Sequence, residues 1–132
     1  MKTLDVCGVV AEVSANEIVN LKKGNQKVRK YVTLVDDTGY AISLTLWATM
    51  CDRITNDDLH KVIAVKGARV SEFGGKSLNA ADDHSSLFTE LNHERFRHLY
   101  KWYSEIKSAG KSEIGTFRNL TQKQNRNEGL TG

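Results

Sequence analysis

Val28-Arg29-Lys30-Tyr31-Val32-Thr33-Leu34-Val35, then Asp36-Asp37-Thr38-Gly39, then Tyr40-Ala41-Ile42-Ser43-Leu44-Thr45-Leu46-Trp47: two β-rich runs flank one turn. The turn is chemically well marked, because Asp bonds the local backbone and Gly accepts a positive φ. Side chains alternate faces along a strand, so parity sorts the second run. Its even residues Ile42, Leu44 and Leu46 are apolar and belong to a core. Its odd residues Ala41, Ser43, Thr45 and Trp47 face the other way. In the first run Val32 and Leu34 read as core, which leaves Arg29, Tyr31 and Thr33 outward.

Working outward, Leu4 to Val13 reads as a strand that Ile18 to Leu21 continues after a kink at Ser14-Ala15-Asn16. The lysine-rich segment with Gly24-Asn25 reads as a hairpin loop. Ala48 to Ile54 suits a short helix, closed by the polar Thr55-Asn56-Asp57-Asp58. Val62 to Ser71 is a fourth strand, Gly74-Gly75 a turn, and Ser77 to Ala80 a short fifth strand. After Ala81 the character changes. Asn92 is placed to cap a helix, with Glu94 in its first turn. Phe96, Leu99, Tyr100, Tyr103 and Ile106 share one helical face, which is expected to dock on the strands, with Trp102 at its edge. Ala109 to Gly132 is polar and weakly patterned.

Five strands, a short helix between the third and fourth, and a C-terminal α-helix describe an all-β, five-stranded OB-fold barrel. A generic small barrel with an appended helix is the structural alternative. The expected division is residues 1–108 as the barrel domain and 109–132 as a tail or interdomain linker.

Composition narrows the function classes. The chain has 132 residues, 39% hydrophobic and 27% charged, as soluble globular domains do. No run approaches the roughly 18 apolar residues of a membrane span, so no membrane partner is expected. Nor does an apolar core follow Lys2, as a secretory leader would require. Two cysteines, Cys7 and Cys51, make neither a CxxC nor a disulfide framework, and proline is absent.

Net charge is only +3, but it is unevenly placed. Lys22, Lys23, Lys27, Arg29 and Lys30 fall within nine residues that hold no acid. Lys66, Arg69 and Lys76 form a sparser group interrupted by Glu72. Basic loops on a balanced domain suit a polyanion bound at one place, or else a solvated hairpin tip. Parity in the later strands puts Arg69, Ser71 and Phe73 on one side, opposite Ala68 and Val70. Ser77 and Asn79 project opposite to Leu78 and Ala80. The outcome is a polar face carrying Trp47 and Phe73, edged by Arg29, Arg69 and Lys76. Single-stranded nucleic acid needs this combination, since bases stack on aromatics while cations track phosphates. Thr45, Ser71, Ser77 and Asn79 would supply polar contacts, and Tyr31 a structural or minor one. Rim packing by Trp47 and barrel capping by Phe73 are the structural readings of the same residues.

The residues Thr45-Leu46-Trp47 and the run from Val65 through Lys66-Gly67-Ala68-Arg69-Val70-Ser71-Glu72-Phe73-Gly74-Gly75-Lys76-Ser77-Leu78 resemble a known family. They are similar to the second single-stranded-DNA-binding OB domain of the replication protein A large subunit. Asp5-Val6-Cys7-Gly8-Val9-Val10, Asp37-Thr38-Gly39 and the helix around Trp102 extend the likeness over roughly residues 4–108. The resemblance implies base stacking by Trp47 and Phe73, and strand contacts from Arg69, Thr45, Ser71 and the Lys27–Lys30 loop. It also implies a nuclear module of a longer chain, acting in replication, repair or recombination. Its expected partners are single-stranded DNA, neighbouring OB domains and the other subunits of a heterotrimer-like complex. A telomerase-associated paralogue binding telomeric strands shares these features.

Two rival classes compete with this reading. His93-Glu94-Arg95-Phe96-Arg97-His98 superficially resembles a zinc-protease helix, but an i, i+5 spacing separates the histidines by about 140° around the helix. HExxH needs i, i+4. With no Walker A and no GxSxG either, no catalysis, metal or cofactor is expected. A protein-docking OB domain, or an RNA-binding one, remains compatible with the same face.

Overall fold

The computed structural model describes residues 3–71, 76–89, 93–111 and 117–119. Phe73, the Gly74-Gly75 turn, Asn92 and most of the expected tail lie outside the described residues. Strands β1 (Thr3–Val13), β2 (Glu17–Asn20), β3 (Gln26–Val35) and β4 (Tyr40–Trp47) lead into 3-10 turns at Ala48–Arg53 and Asn56–Asp58. Then come β5 (Val62–Ser71), β6 (Ser77–Ala80), β7 (Ser86–Thr89), helix α1 (Glu94–Ser108) and the two-residue β8 (Arg118–Asn119).

The pairings β1–β3, β3–β4, β4–β6, β6–β5 and β5–β1 close a five-stranded ring. Only β4–β6 runs parallel within it. This is the expected OB barrel. β4, β5 and β6 have the bounds read from the sequence, because turn signals punctuate the chain around each of them. The segment after Asn16 continues β1 along the same edge of β3, as expected, after a break at Ser14–Asn16: Val13 pairs Val32, then Glu17 pairs Arg29 and Asn20 pairs Gln26, all antiparallel. The short helix is a 3-10 turn, followed by a second one at Asn56–Asp58, where Thr55 and Asp58 satisfy each other's backbone N–H groups. Strand β7 has no counterpart in the sequence reading. Only Leu87 of its four residues is buried, and it seals the barrel interior beside Val65.

Burial divides the apolar residues into two layers. Leu34, Leu44, Leu46, Met50, Ile63 and Leu78 fill the barrel. Outside it, Phe96, Leu99 and Tyr103 of α1 cover Val9, Val35, Ala41 and Val62. This second layer explains the adjacent Val9 and Val10: both faces of β1 are covered, so alternation disappears. It also corrects one parity assignment. Ala41, expected on the open polar face, lies beneath the helix.

His93 caps α1, its Nδ1 accepting from the Arg95 amide at 3.0 Å. Tyr100 is 39% exposed, whereas Trp102 is half-buried against Tyr103 and Phe117. At about 100° per residue these two rings flank opposite sides of the buried stripe. Phe117, returning from beyond the helix, covers only the Trp102 side. Arg118 and Asn119 then pair with Tyr40 and Ala41.

Arg95 and His98 of the zinc-like hexapeptide are structural. Arg95 donates twice to Asp37, at 2.8 and 3.1 Å, and His98 Nε2 approaches the same carboxylate at 2.8 Å. They pin α1 to the β3–β4 turn. The Arg95 hydrogen bonds hold the Asp37 carboxyl down at about 2, against 3.8 ordinarily. A depressed carboxyl stabilises the fold above its unfolded value and loses that contribution as pH falls through the folded one. Because the pair is partly solvated, its worth is about 1 kcal/mol. Thermal melts of wild type and Asp37→Asn should therefore differ at pH 7, with the gap closing between pH 4 and pH 2. A gap unchanged over that range would disprove the clamp.

Candidate nucleic-acid interface

The sheet register arranges the outward residues of four strands in rows. Thr33 of β3 pairs Ser43 of β4, Ser43 pairs Ser77 of β6, and Ser77 pairs Ser71 of β5. One step along, Tyr31 pairs Thr45, Thr45 pairs Asn79, and Asn79 pairs Arg69. A third, shorter row is Arg29 beside Trp47. Hydroxyls and an amide thus occupy the middle of the face, with aromatic and cationic side chains toward its borders. Thr45, at 7% exposure, sits buried at the centre of its row.

The position of Arg69 depends on an irregularity in β5. Below Gly67 the odd residues Ile63 and Val65 face the core, while above it the even residues Ala68 and Val70 do. Leu4 pairs Ala68 but Val6 pairs Val65, so Lys66 and Gly67 together oppose Asp5 in a β-bulge. Gly67 has φ +76°, its N–H donates to Asp5 Oδ1 at 2.9 Å, and its carbonyl accepts from Ser85 Oγ at 2.9 Å. The extra residue turns Arg69 outward. A glycine inside a strand is the sequence signal for such a bulge.

Trp47, Arg69, Asn79 and Lys27 line one groove of about 340 Å³, with Leu21 of the β2–β3 hairpin on its rim. The indole Nε1–H donates to Asn79 Oδ1 at 3.2 Å, which fixes both side chains. The remaining wall is absent from the sequence reading: Ala81, Asp83 and His84 of the turn after β6. That turn is held from two sides, by Thr49 donating to Asp82 and by His84 and Ser85 meeting the Gly67 carbonyl. Only the three-dimensional path of the chain places these residues beside Trp47, although Asp82-Asp83 is visible as a turn in the sequence.

Other expected residues lie elsewhere or are already engaged. Arg29 Nε donates to Glu17 Oε1 at 2.7 Å while its guanidinium sits 5.2 Å from the centre of the Tyr31 ring. Ser71 and Ser77 stay on the polar face. Lys76 borders a different cavity of about 280 Å³ at the barrel end, walled by Leu4, Val70 and Leu78. Lys30, grouped with the basic loop, is buried at 7% exposure and donates to the Cys51 and Ile54 carbonyls at 2.8 and 2.5 Å. It has the parity of Val32 and Leu34, so its charge caps the 3-10 turn rather than facing a ligand. Burial raises the thiol pKa of both Cys7 and Cys51. Among the described residues no three His, Cys, Asp or Glu side chains gather as a metal site, and no helix is long and apolar enough to cross a membrane.

Comparison with known proteins gives the same fold and a family. The chain is 31% identical over 107 residues to one of the replication protein A 70 kDa DNA-binding subunits of Arabidopsis thaliana, covering 76% of this chain and 17% of that one. It is 34% identical over 101 residues to the replication protein A 70 kDa DNA-binding subunit of Xenopus laevis, covering 76% and 16%. The chain thus spans about a sixth of these relatives. A solved structure of a replication protein A heterotrimer bound to ssDNA superposes with a TM-score of 0.78 at 23% identity, over 92% of this chain and 28% of that one. A replication factor A related protein from Methanobacterium thermoautotrophicum superposes at 0.55 and 21%, over 69% and 82%. A family model described as "Replication protein A OB domain" matches residues 1–89. The chain belongs to the replication protein A OB-domain family.

Proposed function

We propose that this domain binds single-stranded DNA without catalysing a reaction, across the outer face of β3, β4, β6 and β5. The observation that carries the reading is the groove in which Trp47, hydrogen-bonded to Asn79, lies with Arg69 and Lys27. A base stacks on the indole, the two cations neutralise neighbouring phosphates, and Ser71, Ser77 and Asn79 bond base edges or phosphate oxygens. Phe73, on the connection between β5 and β6, supplies the second stacking ring. Thr45 packs beneath the strand, Tyr31 and Arg29 border it, and Lys76 adds charge at the far end. No cofactor takes part.

Residues 1–108 form the binding domain, and 109–132 lead toward a further module, with Phe117 tethering the start of that connection to the helix. The parent chain is a replication protein A-like large subunit working in the nucleus with neighbouring OB domains and partner subunits. A telomere-directed paralogue would use the same face. Tethering raises the modest affinity of one module through effective concentration.

Titration of a labelled oligo(dT) by fluorescence anisotropy tests the proposal. Saturable binding is expected, stronger than to duplex, with affinity falling by about 0.7 log unit per log unit of salt for each phosphate contact. Arg69→Ala should flatten that slope by about one contact. No binding at low salt would overturn the proposal in favour of protein docking.

A further inference from the structure

A carboxylate in a groove meant for a polyanion is costly unless it faces something other than phosphate. Asp83 lines the Trp47 groove, and its carboxylate is 79% exposed. Asp82 beside it is engaged by Thr49, but Asp83 pairs with no Lys or Arg among the described residues. The His84 ring lies next to it, with Nε2 at 3.7 Å from Oδ1. That separation is too long for a hydrogen bond. His84 is oriented by its other nitrogen. Its Nδ1 lies 2.8 Å from Ser85 Oγ and 3.1 Å from the Gly67 carbonyl oxygen. One wall of the groove therefore presents an acceptor, the exposed Asp83 carboxylate. Arg69 presents donors, as does the amide nitrogen of Asn79, whose oxygen is occupied by the Trp47 indole.

From this polarity we infer that the groove is a base-discriminating subsite that prefers cytosine, with its exocyclic amino group, to thymine. The inference rests on the single-stranded-DNA reading of the same face. Cytosine offers an N4 amino donor beside its N3 and O2 acceptors. Thymine offers a carbonyl where cytosine offers that amino group, and so sets an acceptor against an acceptor. Pairing of an acidic side chain with cytosine N4 is an established chemistry of base recognition. Stacking on Trp47 gives the affinity and is indifferent to the base, while Asp83 supplies the difference.

Oligo(dC) and oligo(dT) of equal length, titrated with the full chain at pH 8 to keep the cytosines unprotonated, test this. Wild type should bind oligo(dC) roughly 5- to 10-fold more tightly, the lower end of the range for one base contact. Asp83→Ala should abolish that ratio by weakening oligo(dC) while leaving oligo(dT) unchanged or tighter. An unaltered ratio in the variant, or no preference in the wild type, would overturn the subsite while leaving strand binding intact. Failure to bind either oligonucleotide would overturn the nucleic-acid reading as well, and the two failures are thereby distinguished.

Discussion

Gly67→Ala is expected to lower the melting temperature by roughly 10–15 °C. An alanine Cβ there would lie only 2.4 Å from the His84 carbonyl oxygen, on backbone that must keep φ +76°. The left-handed conformation costs about 1–2 kcal/mol for a residue with a Cβ. Forcing the β5 backbone from the 81–85 turn adds about 1–3 kcal/mol. The total is near 3 kcal/mol, at about 4 °C each for a domain of this size. Gly39→Ala is the control. Its φ is +86° but nothing lies within 4 Å of the added atom, so only the conformational cost should appear. Equal losses in the two variants would mean that the Gly67–His84 contact is not what holds the turn. If the bulge is lost, oligonucleotide binding should fall too, because Arg69 then turns toward the core and the Asp83–His84 wall moves.

The double variant Trp47→Ala/Phe73→Ala should lose at least about 30-fold in affinity for single-stranded DNA while remaining folded. Base–aromatic stacking is worth about 1–3 kcal/mol per base, so two rings contribute roughly 2–6 kcal/mol. Trp47 is only half-buried at the end of β4 and belongs to neither apolar layer, so removing it opens no core cavity. The loss should appear as an unchanged salt slope at reduced affinity, since stacking releases no counterions. Trp47→Phe, which keeps a flat ring, should retain most of the binding. Affinity that survives the double variant would place the strand elsewhere on the barrel.

Much of the fold follows from local pattern. The Asp36–Gly39 turn is legible from its turn residues, β4 from the alternation of apolar and polar residue types from Ile42 to Leu46, and β6 because its buried positions alternate as well. Alternation decides which side chains share the polar face, and the strand pairing then sets them in the rows Thr33–Ser43–Ser77–Ser71 and Tyr31–Thr45–Asn79–Arg69. Where a second layer or a distant contact intervenes, the pattern fails. Ala41 reads as an open-face residue because nothing in its own strand shows that α1 covers it. Tyr100 and Trp102 flank the stripe symmetrically on a helical wheel, and Phe117 breaks the tie. β7 has a single buried residue, too little for a period to register.

The basic loop is the clearest case in which charge misleads. Lys27, Arg29 and Lys30 are near neighbours, yet they have three different fates. Lys27 lines the groove, Arg29 pairs with Glu17 across the hairpin, and Lys30 turns inward to two carbonyls. The sequence by itself determined the barrel, its polar face and Trp47 upon it, because alternation and turn chemistry act between residues close along the chain. The tertiary structure alone decided which cations meet that face and brought Asp83 and His84 to it. Those outcomes depend on a bulge at Gly67 and on contacts between segments far apart in sequence, where no local period carries information.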